Sequence, residues 1–311
     1  MTKILITDGL DKVGLDILNV AAQVDDRNNI SAEELLTVIG EYEALIVRGR
    51  TKVTAAVFAA GKKLKVVGRA GVGVDNIDLT AAKAHGVAVV NAPVATSVAV
   101  AELAFSLLLA TSREIPRADA SMKAGKWIKK ELEGVELYGK TLGVIGFGRI
   151  GAETGKRAAA FGMKILGYDP LIPADEIQRR GGQPVTLDAL FAQSDFITLH
   201  IPLTAETKNI INAESILKMK DGVRIVCAAR GGVIDEAALL VGLESGKVAA
   251  AGLDVFAAEP PGLTALVAHP KVVCTPHIGA QTVESQARAA EDIASEVLNA
   301  LNGRLLRWKV A

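Results

Sequence analysis

The chain has 311 residues, half of them hydrophobic and only 4% aromatic, with 35 Lys plus Arg balanced by 35 Asp plus Glu. That length suits two lobes rather than one, and an aliphatic, aromatic-poor composition suits close-packed α/β layers. A formal net charge of zero provides no broad field for nucleic acid or an acidic membrane surface, and no apolar run reaches membrane-spanning length.

The chain begins MTKILITD, whose apolar stretch is too short for a signal peptide and reads as a first strand. Strands are predicted at KILIT (3–7), ALIVRG (44–49), LKVVGRAG (64–71) and VAVVNAP (87–93), with helical stretches between them such as 32–40 and 78–84. SVAVAELAFSLLLATSR follows as a long helix with Thr96 or Ser97 as its N-cap. So apolar a helix is expected to be buried between two bodies.

A second set of strands is predicted at TLGVIGF (141–147), KILGYD (164–169), DFITLHIP (195–202), RIVCAA (224–229), AAAGLDVF (249–256) and VVCTPHIG (272–279), before a last helix from Gln281 to about Asn302. Short apolar runs alternating with helices are the pattern of parallel sheets wrapped by helices. The expected architecture is α/β, with two doubly wound, Rossmann-like domains. One spans 96–281; the other is discontinuous, 1–95 with 282–311, because the last helix packs back onto the first lobe. The two cysteines, Cys227 and Cys274, lie in or beside apolar runs. They read as buried free thiols without a disulfide framework, pointing to a soluble, cytoplasmic protein, and no metal site is expected.

The segment TLGVIGFGRIGAETGKRAAAFGMKILGYDP places Gly146, Gly148 and Gly151 at G-x-G-x-x-G spacing. The pattern alone is weak, but here it follows a strand, opens a helix and reaches an acid, Asp169, at the end of the next strand. Gly146 permits the tight turn, Gly148 lets the backbone approach a pyrophosphate, and Gly151 lets helix and strand pack closely. The amides of Arg149 and Ile150 face the phosphates at a helix N-terminus, where the dipole favours anions. Asp169 accepts from the adenosine ribose hydroxyls and repels a 2′-phosphate. Pro170 and Leu171 follow it without an arginine, so NAD is favoured over NADP.

Hydride chemistry also needs a proton-transfer group. Of the four histidines, His85 and His269 sit in helix-end or turn contexts, and His200 closes a strand in TLHIP, lining the cleft or satisfied in the core. His277 follows the last strand in a glycine-containing loop, where open α/β sheets bind ligands beyond their carboxyl ends. Arg230 and Glu259 also come directly after strands. A histidine there can exchange the alcohol proton, a carboxylate can orient and stabilise its imidazolium, and an arginine can bind a carboxylate or polarise a carbonyl.

The blocks RAGVGVDNID, NAPVATSVAVAELAFSLLLATSR, GKTLGVIGFGRIG, ARGGVIDEAAL, GLDVFAAEPP and TPHIGAQT, in this order, resemble the D-2-hydroxyacid dehydrogenase family over nearly the whole chain. MKAGKW and VRGRTKVTAAVF are most similar to members that act on D-3-phosphoglycerate. The resemblance implies an NAD-dependent oxidoreductase with Arg230, Glu259 and His277 as catalytic residues, His277 being the acid/base. It implies a cofactor set of Gly146, Gly148, Arg149, Ile150, Gly151, Asp169, Ile201, Ala228, Ala229, Arg230, Asp254, His277, Gly279 and Ala280, with Asp254 accepting from the nicotinamide carboxamide. From the first lobe, Gly71, Val72 and Gly73 would hold the substrate carboxylate with Asn91 nearby. Arg48, Arg69, Lys129 and Lys130 would serve a phosphate, the lysines across a dimer interface of the NAD-binding domain.

There are departures. Members acting on phosphoglycerate often carry Gly-Asn where this chain has Ala95-Thr96, which removes one expected substrate hydrogen bond. The chain ends at WKVA, so feedback through the serine-binding C-terminal domain of longer relatives is not expected for it. Two other readings use the same features. One is a reductase for another 2-keto acid such as glyoxylate or hydroxypyruvate; the other is an NAD(H)-sensing corepressor. Closure of the lobes, with hinges near 93–97 and 280–283, is expected as a way of excluding water.

Overall fold

In the computed structural model, which describes residues 2–311, the chain divides into two compact units. The first comprises the residues through Ser97 together with Ala280–Ala311, and the second Val98–Gly279. The division thus falls two residues beyond the expected boundary on each side, assigning Thr96, Ser97, Ala280 and Gln281 to the first unit.

The first unit contains β1 (Lys3–Ile6), β2 (Gln23–Asp26), β3 (Ala44–Val47), β4 (Val66–Arg69) and β5 (Ala88–Asn91). They form one parallel sheet in the order β2-β1-β3-β4-β5, reversing direction between β1 and β3. All four residues of β3, ALIV, are buried, as a parallel strand covered on both faces requires. The polar β2, QVDD, has no such signature and was not among the predicted strands; it pairs with β1 as an edge, where half its side chains meet water. The last helix, Val283–Leu301, is capped by Thr282, whose hydroxyl accepts from Ser285 N. It lies over β4: a Cβ added at Gly68 would meet Val297 Cγ2 at 2.6 Å and Ile293 Cγ1 at 2.9 Å. Beyond it, the C-terminal tail forms an antiparallel bridge to β5, Lys309 opposite Val90.

The second unit contains β6 (Thr141–Ile145), β7 (Lys164–Tyr168), β8 (Gln183–Pro184), β9 (Phe196–Leu199), β10 (Val223–Cys227), β11 (Val248–Leu253) and β12 (Val272–Cys274). The parallel sheet runs β12-β11-β10-β9-β6-β7-β8. Its direction of winding reverses between β6 and β9, the doubly wound order in which a dinucleotide crosses the crevice at the reversal. β8 escaped prediction because it is two residues long and contains Pro184, tolerable only at an edge.

The helix Ser97–Arg113 is buried along most of its length. Ala101, Ala104, Leu107 and Leu108 are buried, and Gly252 on β11 lets Leu107 approach, but Val98, Glu102 and Ser106 are exposed. Cys227 and Cys274 are free thiols, separated in register by Leu253 of the intervening strand. Two strand spacings are about 9–10 Å, too far for a disulfide. No helix among the described residues is long and apolar enough to cross a membrane.

Candidate active site

Strand pairing in the second unit sets Tyr168, Ile145, Leu199, Cys227, Leu253 and Cys274 in one row across β7, β6, β9, β10, β11 and β12. The residues that follow, Asp169, Gly146, His200, Ala228, Asp254 and Thr275, therefore leave the sheet along one carboxyl edge. Sequence-predicted cofactor and catalytic residues are thereby brought together from six strands.

The glycine turn has the three distinct environments that its spacing implies. Gly146 has φ +89°, and a Cβ there would lie 2.5 Å from the His200 carbonyl oxygen. Gly148 opens the helix Arg149–Ala160 with no side-chain cap on its first amides and has open space where its Cβ would point. At Gly151 a Cβ would collide with the Gly146 carbonyl. Uncapped amides at a helix start beside unfilled space fit a pyrophosphate. Asp169 is fixed next to the turn, its two oxygens accepting from Phe147 N and Leu171 N, each at 2.9 Å. Ile201 is buried against Gly146, and Ala228 and Ala229 are buried at the end of β10. These residues fit the NAD expected of them.

His277 and Glu259 form a pair, with Nδ1 and Oε2 2.7 Å apart. Glu259 Oε1 accepts from Phe256 N at 3.1 Å, so the carboxylate is held from both ends. With Nδ1 turned to the carboxylate, Nε2 is the ring position left to exchange a proton; the His277 side chain is 49% exposed. The residue has φ +53°, a conformation uncommon outside glycine. Asp254, 0% exposed, holds that turn. Its carboxylate accepts from Thr275 Oγ1 (2.6 Å), Ile278 N (2.8 Å) and Gly279 N (2.9 Å), while its carbonyl accepts from His277 N (2.9 Å). The expected cofactor residue is thus also the frame of the histidine loop, and both its oxygens are already engaged. Thr275, missed in the sequence, was signalled only by a hydroxyl one step beyond a strand end.

Arg230 Nη1 donates to Ala229 O at 2.6 Å. The next residue, Gly231, lies so close to the Phe256 carbonyl that a Cβ would overlap it, which presses the Arg230 turn against the loop carrying Glu259. His200 is neither simply cleft-lining nor satisfied. Its Nε2 meets Thr198 Oγ1 at 3.0 Å, while Nδ1 is shielded from solvent with no hydrogen-bond partner among the described residues. Burial pushes the imidazole down to about 3. His85 caps the helix Leu79–Ala84, and His269 Nδ1 accepts from Lys271 N in a turn.

The first unit has its own carboxyl edge, where Val47, Arg69 and Asn91 share a row across β3, β4 and β5. Arg48, Arg69, the loop Gly71–Gly73 and Asn91 therefore emerge side by side. Asn91 Nδ2 donates to Val72 O at 2.6 Å and Ala92 N to Gly71 O at 2.9 Å, shaping the loop. The Arg48 segment is fixed by Asp8, whose carboxylate accepts from Arg48 N, Thr51 N and Thr51 Oγ1 at 2.8, 3.1 and 2.5 Å. Arg48 Nη2 donates to Gln281 Oε1 at 3.1 Å. Burial pushes this guanidinium below its ordinary value, with Asp8 opposing. Lys129 and Lys130 are not on this edge: they occupy an exposed 3₁₀ turn, Lys129–Glu131, in the second unit. Ala280 belongs to the first unit, where its carbonyl accepts from Gln286 Nε2 at 2.7 Å.

Comparisons with known proteins bear on the family and the fold. Residues 105–279 match the family model "D-isomer specific 2-hydroxyacid dehydrogenase, NAD binding domain". The chain is 47% identical over 303 residues to a D-3-phosphoglycerate dehydrogenase of Synechocystis sp., covering 97% of this chain and 55% of that one. It is 50% identical over 303 residues to a hydroxypyruvate reductase of Thermotoga maritima, covering 96% and 98%. A D-lactate dehydrogenase of Aquifex aeolicus, solved with NAD and lactic acid, superposes with a TM-score of 0.85 at 30% identity over 96% of each chain. The chain spans 49–58% of the length of the phosphoglycerate dehydrogenases it matches. This chain belongs to the D-isomer specific 2-hydroxyacid dehydrogenase family, and its second unit carries the family's NAD-binding domain.

Proposed function

We propose that the chain is an NAD-dependent dehydrogenase that interconverts D-3-phosphoglycerate and 3-phosphohydroxypyruvate, a step toward serine. The observation that carries the chemistry is the Glu259–His277 pair at 2.7 Å, on the same sheet edge as the glycine turn and Asp169. When bound, NAD supplies the hydride acceptor or, reduced, the donor. Asp169 orients the cofactor's ribose and disfavours a 2′-phosphate. His277 Nε2 takes the hydroxyl proton during oxidation and returns it during reduction; Glu259 holds the ring and stabilises its charged form. Arg230 fixes the carboxylate or polarises the carbonyl oxygen at C2. The amides of Gly71–Gly73 receive the substrate carboxylate.

The phosphate is assigned to Arg48 and Arg69. Arg48 is bonded through its guanidinium to a neutral amide, Gln281, and its charge is disfavoured by burial, so a dianion would relieve it. Similarity to phosphoglycerate dehydrogenases supports this substrate. Similarity along the full length of a hydroxypyruvate reductase supports the unphosphorylated keto acid as the second reading. Two unbridged cysteines fit a reducing, cytoplasmic setting. A homodimer through the second unit would cover Ile115, Met122, Trp127 and Tyr138, which are 55–78% exposed, and would give Lys129 its proposed role.

The experiment is NADH consumption with 3-phosphohydroxypyruvate, hydroxypyruvate and glyoxylate, repeated with Arg48→Ala. The proposal expects the highest kcat/KM with the phosphorylated acid and a selective loss of that preference in the variant. A preference for hydroxypyruvate that Arg48→Ala leaves unchanged selects the second reading. Tight NADH binding without turnover of any acid would select a sensor.

A further inference from the structure

We propose that the C-terminal tail, anchored by the buried carboxylate of Glu296, is a positioning strap for the substrate loop Gly71–Gly73. The inference rests on the reading that this loop holds the acid. Glu296 is 0% exposed in the middle of the last helix, an unusual place for a carboxylate, since ionised side chains are almost never fully buried unless paired. Its Oε2 accepts from Trp308 N at 3.0 Å, and its Oε1 lies 3.5 Å from Arg307 Nε. Both partners belong to the tail. The carboxylate thus holds the tail through one hydrogen bond, Oε2 to Trp308 N, while Oε1 makes no hydrogen bond among the described residues and has only the Arg307 guanidinium at ion-pair distance.

From that anchor the tail runs antiparallel along the free edge of β5. Asn91 N donates to Trp308 O (3.2 Å), Val310 N to Val89 O (2.8 Å) and Val89 N to Ala311 O (3.0 Å). Asn91 is thus held on one side by the tail and on the other by β4, where Arg69 is its partner in register. Its side chain, through Nδ2, fixes the Val72 carbonyl at 2.6 Å. The connection runs without a gap from Glu296 to Trp308, from Trp308 to Asn91, and from Asn91 to the loop whose amides would receive the substrate.

An edge strand without the tail would expose the donors of Val89 and Asn91. β5 could then shift at Asn91, and the loop amides would lose their common direction while the core beneath, built on Ile293 and Val297, stayed packed. Glu296 and the tail are positioning groups: neither touches the acid in this account. Their removal is predicted to act on acid affinity and to spare the cofactor, whose proposed contacts, apart from Ala280, lie in the other unit.

The test compares the wild-type chain with Glu296→Ala, Glu296→Gln and a deletion of residues 308–311. The readouts are KM and kcat for 3-phosphohydroxypyruvate and hydroxypyruvate, NADH affinity by fluorescence, and amide exchange at Val72, Gly73, Val89 and Asn91. Glu296→Ala and the deletion should raise KM for both acids about tenfold, the effect of one misplaced hydrogen bond to a charged group. They should leave NADH affinity and kcat within about twofold and quicken exchange at Val72 and Gly73. Glu296→Gln, which keeps an acceptor for Trp308 N, should restore KM. Unchanged KM in both variants overturns the proposal, as does NADH affinity falling in step with KM. A wild-type chain that turns over neither acid would instead defeat the functional reading. The strap is then judged by exchange alone, and wild-type rates at Val72 and Gly73 in both variants would overturn it.

Discussion

At the carboxyl edge of the seven-stranded sheet, the groups assigned to chemistry are side chains braced by backbone. Asp169 is held by two amides, Glu259 by Phe256 N and His277, and the His277 turn by Asp254. At the edge of the five-stranded sheet the assigned groups are backbone amides in a glycine loop, where Asn91 holds the Val72 carbonyl, and a cation, Arg48, that donates to the Gln281 amide oxygen. The first edge holds one geometry, as the proposed proton and hydride transfer would require. On the proposed reading the second edge sets which acid is accepted. The relatives carry names as different as phosphoglycerate dehydrogenase and hydroxypyruvate reductase, and the proposed reading locates that difference at the second edge.

The largest effect should come from breaking the rigid edge at its acid/base. His277→Ala should lower kcat by about a hundred- to ten-thousand-fold, the usual contribution of such a group, while NADH binding measured by fluorescence stays near wild type. An unchanged kcat would remove His277 from the chemistry. Asp169→Ala should next cut the preference for NADH over NADPH by about ten- to a hundredfold, as expected for hydrogen bonds to a charged acceptor, in a comparison of kcat/KM with the two cofactors. At the adaptable edge, Arg48→Ala should raise KM for 3-phosphohydroxypyruvate by about tenfold or more and leave hydroxypyruvate within about twofold. Equal losses with both acids would place Arg48 in general structure rather than in phosphate recognition.

A smaller, pH-dependent effect distinguishes the edges through stability. His200, beside Gly146, is pushed down to about 3 by burial, against an ordinary value of 6.5. Between these values the unfolded chain binds a proton that the folded chain refuses, so stability falls as pH drops through that window. The slope is at most about 1.4 kcal/mol per pH unit. Urea unfolding at pH 7 and pH 5 should show a smaller loss in His200→Gln than in wild type. An identical loss would mean that the ring is protonated in the folded state.

Much of the rigid edge was legible because each of its parts follows an apolar strand and has a residue type with few alternative uses there. The glycine spacing carried its geometry, and Arg230, Glu259 and His277 were singled out as candidates from their places after strands, their proposed roles coming from the family resemblance. What escaped were partners set by tertiary approach. Thr275 has no signal beyond its position, and Asp254 showed its acid but not the loop it binds. In the first unit, β2 is polar because it is an edge, and the tail RLLRWKVA has too little alternation to announce a strand. It pairs only because β5 leaves donors to satisfy. In the Ser97–Arg113 helix, apolar content alone did not reveal that Glu102 and Ser106 share an exposed face.

The central claim, hydride exchange at C2 of a 2-keto acid governed by the Glu259–His277 pair, is tested most directly with NADH carrying deuterium at both C4 positions. Wild-type chain, incubated with this cofactor and 3-phosphohydroxypyruvate or hydroxypyruvate, should yield the D-hydroxy acid with deuterium at C2. His277→Ala should bind the same cofactor and transfer almost none in the same time. Product lacking deuterium at C2, or deuterium transfer at the wild-type rate without His277, would contradict the account.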